Sequence, residues 1–494
     1  MKAIVMQIKS LSRCVGLFLS ASSAQRSSLL VGLALAAGTS GALGQDLGKR
    51  PGPQETPVAI VNATIHPVSG PVIEKGYVLF DKGVITEVGP MGEGRVFIAT
   101  TRQIDAAGKH VYPGLITPYS RLGLEEIQSV RASTDYNEAG DITPEVRSIV
   151  SVNPDSTLLP VTRTNGVLSA GVFPAGGTIA GRASVIRLEG WTWEDMAVSR
   201  DIGIVISWPM MRTVTAAWMD QSEEEQRKQA SQRLDRIRET IRLAKAYAAQ
   251  RPAGGGKGGR DGGGDGGGPA GTIPVDVRWE AMRSAVVPAA APGGVQSPCF
   301  IEAQDYDQIT SAIAFCLEQK LRPVIVGGHD APLCAELLKT NGVPVIVNTI
   351  IALPNRDDAA YDDNYSLPAR LHAAGISFCI ASGEETAHER NLPYAAGMAV
   401  AHGLPQDVAI RAVTLSSAEI LGVAGTLGSL EKGKEATLII TSGNPLEVTT
   451  KIEGAFIAGK QIDLSNKQSV LAEKYREKYK QQKAAGPQAD PQAK

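Results

Sequence analysis

From Phe300 onward the chain alternates between two hydrophobic rhythms, and that alternation narrows the folds open to it more than any other feature. Phe300-Ile301 reads as a strand, and after Asp305 the residues Ile309, Ile313, Cys316 and Leu317 fall on one helical face. Pro323 to Val326 reads as a strand again. A helix near Pro332 to Lys339, a strand from Val343 to Val347, a helix near Leu367 to Ala374 and a strand from Ile376 to Ile380 continue the series. Helices around Tyr394 to His402 and Pro405 to Leu415 complete it. Alternating strands and helices predict βα units and a parallel barrel. Ahead of this region lie short strands broken by Gly and Asp-Lys-Gly turns: Val58 to Val61, Tyr77 to Phe80, Val84 to Val88 and Arg102 to Ile104.

Two segments interrupt the series. Ser222-Glu-Glu-Glu225 has the form of a capping box, and Leu234, Ile237, Ile241 and Ala244 follow at helical spacing, which predicts a long surface helix or lid edge. Ala253 to Gly271 is Gly-rich and is read as a disordered insert. It is not read as a phosphate-binding loop, because no strand leads into it and no G-K-[ST] closes it.

The 494 residues carry 49 basic and 51 acidic side chains, so no basic excess points to nucleic acid or to an anionic membrane as partner. A small molecule is the expected partner, with a homodimer open. At the N-terminus, Lys2, Lys9, Arg13 and Arg26 precede the apolar run Leu29 to Ala37, and Ala42-Leu43-Gly44 offers a cleavage site before Gln45. Residues 1–44 are therefore expected to be a signal peptide, with an uncleaved anchor as the alternative, and the mature protein to be periplasmic or extracellular. No later segment approaches the ~20 apolar residues of a membrane span. Cys299, Cys316, Cys334 and Cys379 each sit in an apolar run and form no C-x-x-C pair, so they are read as buried free thiols. Of six histidines, no two are separated by one, three or four residues, so no local pair can start a metal site.

The most telling motif is Tyr112-Pro-Gly-Leu-Ile-Thr-Pro-Tyr-Ser-Arg-Leu-Gly123. It resembles the end of the first barrel strand in the amidohydrolase superfamily, where P-G-L-I-D-x-H-x-H-x-G is usual. Gly428-Ser-Leu-Glu-Lys-Gly-Lys-Glu-Ala-Thr-Leu-Ile-Ile440 resembles the common C-terminal piece of that superfamily. Phe173-Pro-Ala-Gly-Gly-Thr-Ile-Ala-Gly181 and Asn391-Leu-Pro-Tyr-Ala-Ala-Gly-Met-Ala-Val400 extend the match over roughly residues 57 to 465, closest to the imidazolonepropionase-like branch. The resemblance implies an α/β fold: a (β/α)8 TIM-type barrel over 113–424, carrying the insert 253–271. It also implies a small β-sandwich built from 57–112 and 425–465. A linker, 45–56, would precede these, and a helix with a disordered tail, 466–494, would follow.

The resemblance also implies a metal-dependent hydrolase of C–N bonds other than peptide bonds, using zinc or another divalent metal. Here the implied ligand positions are substituted. Tyr119 and Arg121 stand where the paired histidines belong, and Thr117 replaces the preceding aspartate. Glu302 falls on the fifth-strand histidine, His329 corresponds to the sixth-strand histidine, and Gly383 replaces the final aspartate. A guanidinium that stays protonated cannot bind a metal. No metal ligand set is therefore assigned and no cofactor is named. Glu302, His329 and Glu384 are the candidate catalytic residues, with Tyr119, Arg121 and Gly383 lining the pocket and Glu302 expected to pair with Arg121. Three functions stay open: a pseudoenzyme or ligand-binding protein, a hydrolase with remodelled acid–base chemistry, and an orthodox metal-dependent hydrolase acting on a cyclic amide-like substrate.

Overall fold

The computed structural model describes residues 50–215, 219–250, 274–288, 296–348, 350–354, 356, 358–383 and 385–485. The chain divides after Gln45, and everything described lies in the second unit. The signal segment 1–44, the insert 253–271, the end of the tail and Glu384 lie outside the described residues.

Two eight-stranded sheets organise the chain. In sequence order the strands are β1 (Val58–Ile65), β2 (Ile73–Asp81), β3 (Val84–Pro90), β4 (Arg102–Asp105) and β5 (His110–Pro113), then β6 (Leu115–Ser120), β7 (Val167–Val172), β8 (Ile179–Arg187) and β9 (Ala197–Ser207). They continue as β10 (Cys299–Ala303), β11 (Pro323–Gly327), β12 (Val345–Val347) and β13 (Phe378–Ile380), and end with β14 (Leu438–Thr441), β15 (Ile452–Ile457) and β16 (Lys460–Gln461).

The smaller body joins both ends of the chain. Its sheet runs β16-β15-β14-β5-β1-β2-β3, with β4 beside β1. The junction is antiparallel, with Leu438 opposite Pro113 and Ile440 opposite Val111. Phe80 on β2 and Phe456 on β15 are far apart along the sheet, yet their rings meet edge-on at 5.2 Å. The sheet therefore curls over on itself around Ile60, Val78, Phe80, Leu438 and Phe456.

The larger sheet is a nearly closed barrel, in the order β6 to β13. Side-chain alternation splits it into two apolar layers. Phe300, Val324, Val326, Ile346 and Cys379 join Ile116, Phe173 and Val205 in the lumen. Ile301, Ile325, Val345 and Ile380 face outward into the layer beneath the helices. Fully burying a side chain such as Phe300 contributes roughly 1.5–3 kcal/mol, so this double layer is the main cohesive term. Neighbouring strands are parallel from β9 through β13, and β6 is parallel to β7.

One strand departs from the all-parallel pattern: β8 is antiparallel to both β7 and β9. The cause is the length of its connection. Only residues 173–178 separate β7 from β8, with Gly176 and Gly177 at positive φ in the turn, whereas a parallel crossover needs about a dozen residues or more.

The helix Tyr306–Glu318 begins with a capping box between Asp305 and Gln308 and buries Ile309, Ile313 and Cys316. The long helix Glu223–Gln250 starts where Ser222 and Glu225 cap one another and buries Ile237, Ile241 and Ala244. All four described cysteines are free and buried. No helix among the described residues is long and apolar enough to cross a membrane.

Candidate functional site at the barrel mouth

The C-terminal ends of β6, β10, β11, β12 and β13 define the mouth, where barrel active sites lie. On β10, Glu302 is two residues beyond Phe300 and so shares its lumen-facing side. On β6 the pairing with β7 slips between Thr117 and Ser120, and this irregularity turns Tyr119 into the same lumen cluster as Ile116. The two side chains meet: the phenol of Tyr119 donates to Glu302 Oε1 at 2.9 Å. Beneath them, Tyr119 packs on Phe173 with ring centroids 4.9 Å apart, and Phe173 meets Phe300 edge-on at 5.0 Å. The mouth is thus floored by three aromatic rings and crossed by one phenol–carboxylate hydrogen bond.

Arg121 is not the partner of Glu302 that the sequence suggested. Its guanidinium lies 4.4 Å over the ring of Tyr136, a cation–π contact that holds it against the loop beyond β6. Gly383 has φ +126°, a backbone conformation that disfavours any L side chain, so an aspartate there would be strained. Glu384 lies outside the described residues.

His329 does not join Glu302 either. Its strand ends at Gly327, Gly328 follows, both are at positive φ, and the turn carries the imidazole away from the lumen. Nδ1 lies 3.1 Å from Asp330 Oδ1. Nε2 lies 2.8 Å from Asp363 Oδ2, close but out of line for a hydrogen bond. Both carboxylates have cations of their own, Arg356 at 3.1 Å from Asp330 and Arg370 at 2.8 Å from Asp363. His329 is a buried tie between the end of β11 and the helix Asp363–Ala374. His388, past β13, is half exposed and pairs with Glu385 at 2.8 Å.

Two features of the mouth escape a reading of the sequence. The first is Glu389, 1% exposed, in the short 3-10 helix Thr386–Asn391. It accepts hydrogen bonds from Thr117 Oγ1 on β6 at 2.7 Å and from Ser382 just past β13. Those strands are not paired by backbone hydrogen bonds, so Glu389 bridges the open seam of the barrel. Burial pushes its carboxyl up to about 7, against the hydrogen bonds from Ser382, Ser120 and Thr117 that favour its charged form. The second is a pair of buried amide oxygens, Gln304 Oε1 beyond β10 and Asn348 Oδ1 beyond β12, that meet no hydrogen-bond donor among the described residues.

A catalytic zinc site needs about three protein ligands and an open position. Among the described residues, no group of three or more His, Cys, Asp or Glu side chains is placed to hold a metal ion. The inherited positions explain why. Tyr119 and Glu302 are engaged with each other, Arg121 is a stacked cation, His329 sits between two carboxylates, and Gly383 has no side chain. The described residues do not fit the divalent metal of the family.

The Amidohydrolase family model matches residues 304–462. The crystal structure of an amidohydrolase from Thermotoga maritima MSB8 superposes with a TM-score of 0.68 at 20% identity, covering 82% of this chain and 99% of that one, which establishes the shared fold. Amidohydrolase tasK of Hapsidospora irregularis is 24% identical over 392 residues, or 76% of this chain. The chain spans 38% of the length of that relative. Residues 304–462 thus match the amidohydrolase family, and the chain shares the fold of an amidohydrolase.

Proposed function

We propose that this protein has left the metal-dependent reaction of its superfamily and uses the barrel mouth to bind a small polar molecule. On this reading it is an exported, imidazolonepropionase-like member that works as a binding protein in the periplasm or outside the cell. The observation that carries the reading is the 2.9 Å hydrogen bond from Tyr119 to Glu302. Two positions that would hold metal in an active relative instead satisfy each other. The buried acceptors Gln304 Oε1 and Asn348 Oδ1 support ligand binding, because buried amide oxygens are nearly always paired with protein, water or ligand.

The test is elemental analysis of residues 45–494, prepared with zinc present and no chelator, together with turnover assays on cyclic amides. Metal well below one equivalent and no turnover are expected. Near-stoichiometric, tightly held metal with chelator-sensitive hydrolysis would overturn the reading and restore the orthodox enzyme.

A second reading has one observation in its favour: a carboxylate and a phenol in direct contact form a competent acid–base pair at the barrel mouth. Metal-independent turnover that disappears in Glu302→Gln, with thermal stability intact, would select this remodelled hydrolase over the binding protein.

A further inference from the structure

Beside the mouth, and built from none of the inherited ligand positions, the loop after β9 and the start of the helix Glu223–Gln250 enclose a cleft of about 230 Å3. The loop leaves the barrel next to the site, since Trp208 N donates to the backbone oxygen of Glu302 at 3.2 Å. Its walls are pinned by one side chain. Gln226 accepts from Val214 N at 2.9 Å and donates to Val214 O at 3.0 Å and Gln221 O at 3.1 Å. A cleft fixed in this way is preorganised, so a ligand does not have to pay the entropy of ordering it.

The lining joins two chemistries. Met210, Met211 and Met219 give it a soft apolar wall that adapts to an alkyl or aryl group. Three arginines supply charge. Arg212 is neutralised by Asp307 and Arg227 by Glu223, both pairs on the exposed rim. Arg233 differs from both. Its Nε donates to Thr178 Oγ1 at 3.0 Å and its Nη2 to the carbonyl of Gly177 at 2.9 Å. Among the described residues it meets no carboxylate. Thr178 is itself held by donation to Asp141 Oδ1 at 2.8 Å, so the guanidinium is aimed by a chain of bonds while most of its five N–H donors stay uncommitted.

We propose that this cleft is a binding site for a small organic carboxylate with an apolar arm, the carboxylate taken by Arg233 and the arm lying on the methionines. Arginine suits this task because its planar fork matches both oxygens of a carboxylate. The volume falls just below the ~300 Å3 at which drug-sized sites begin, so the ligand is of monocarboxylate size rather than a dinucleotide or a peptide.

The test is binding of 3-phenylpropionate, and of its uncharged amide, to residues 45–494 by titration calorimetry. The carboxylate is expected to bind and the amide to bind about tenfold more weakly or worse, as the loss of a charge-assisted pair requires. Arg233→Gln is expected to remove that preference. Ala230→Phe, which fills the cleft one helical turn before Arg233, is expected to abolish binding of both probes at unchanged thermal stability. Equal affinity for acid and amide, binding that survives both substitutions, or no binding to the unsubstituted protein would each overturn the assignment.

Discussion

Glu389 reaches across the one gap in the barrel to accept a hydrogen bond from Thr117 at 2.7 Å, so a buried carboxyl closes a seam that the backbone leaves open. Thr117 stands where the family motif carries an aspartate. An acidic group still reaches this corner of the mouth, but from a different segment, and it is engaged by three hydroxyl donors.

That arrangement sets a pH dependence. Burial raises the Glu389 carboxyl from 4.5 to about 7, so between those values the folded chain holds a proton that the unfolded chain releases. The stabilisation is complete below about 4.5, declines as pH rises through this window, and is gone above about 7. At ~1.4 kcal/mol per unit the swing is on the order of 3 kcal/mol. Glu389→Gln cannot ionise, so the difference in unfolding free energy between variant and parent is expected to move in the variant's favour across that window. Denaturant titrations at pH 5, 6, 7 and 8 measure it. A difference that stays flat would mean Glu389 ionises normally in the fold.

His329 gives a second prediction, because its role as a tie and a role in chemistry lead to different outcomes. Removing the imidazole leaves Asp330 short of one partner and opens a buried gap, while Arg356 and Arg370 still pair the two carboxylates. His329→Ala should therefore cost on the order of 1–3 kcal/mol, as leaving a buried polar group short of a partner does. In a double-mutant cycle with Asp363→Asn, a coupling of about 1 kcal/mol or more is expected. A stable His329→Ala variant that lost only ligand binding would return this residue to the site.

Much of the fold could be read from the sequence because the local signals agreed with the global one. Asp305 ahead of Ile309 and Ile313 marked a helix start, and the capping box is there. The direction of β8 could not be read in the same way. Residues 179–186 are buried throughout, so no alternation of polar and apolar residues marks how the strand runs, and its direction follows from a six-residue turn. At the site, the substitutions at Tyr119 and Glu302 were legible but their contact was not. It depends on a slip in the β6–β7 register that no local pattern announces. His329 was misplaced because the glycine pair before it breaks the strand's alternation. Glu389 sits among Glu385, His388 and Arg390, a stretch that reads as loop charges, and only the barrel seam gives it a buried partner.

Arg121 should act as a stacked cation, not as a ligand anchor in the mouth. Arg121→Leu is expected to cost roughly 0.5–1 kcal/mol through loss of the contact with Tyr136, and Tyr136→Phe much less, since Phe keeps an aromatic face. Thermal unfolding of the two variants checks this. Equal, large losses in both would point to a role for the Tyr136 hydroxyl instead.

The last prediction concerns the contact between Tyr119 and Glu302. Tyr119→Phe deletes one hydroxyl and leaves the ring on Phe173, so packing is kept while Glu302 loses one donor. The expected cost is on the order of 1 kcal/mol, the range for losing one hydrogen bond. Glu302→Gln keeps an acceptor for the phenol and should cost less. The double variant should recover part of the sum, because it removes both halves of the pair together. If Tyr119→Phe instead raised stability and let zinc bind near Glu302, the phenol would be masking a metal site rather than replacing it. Unfolding free energies with and without zinc distinguish the two outcomes.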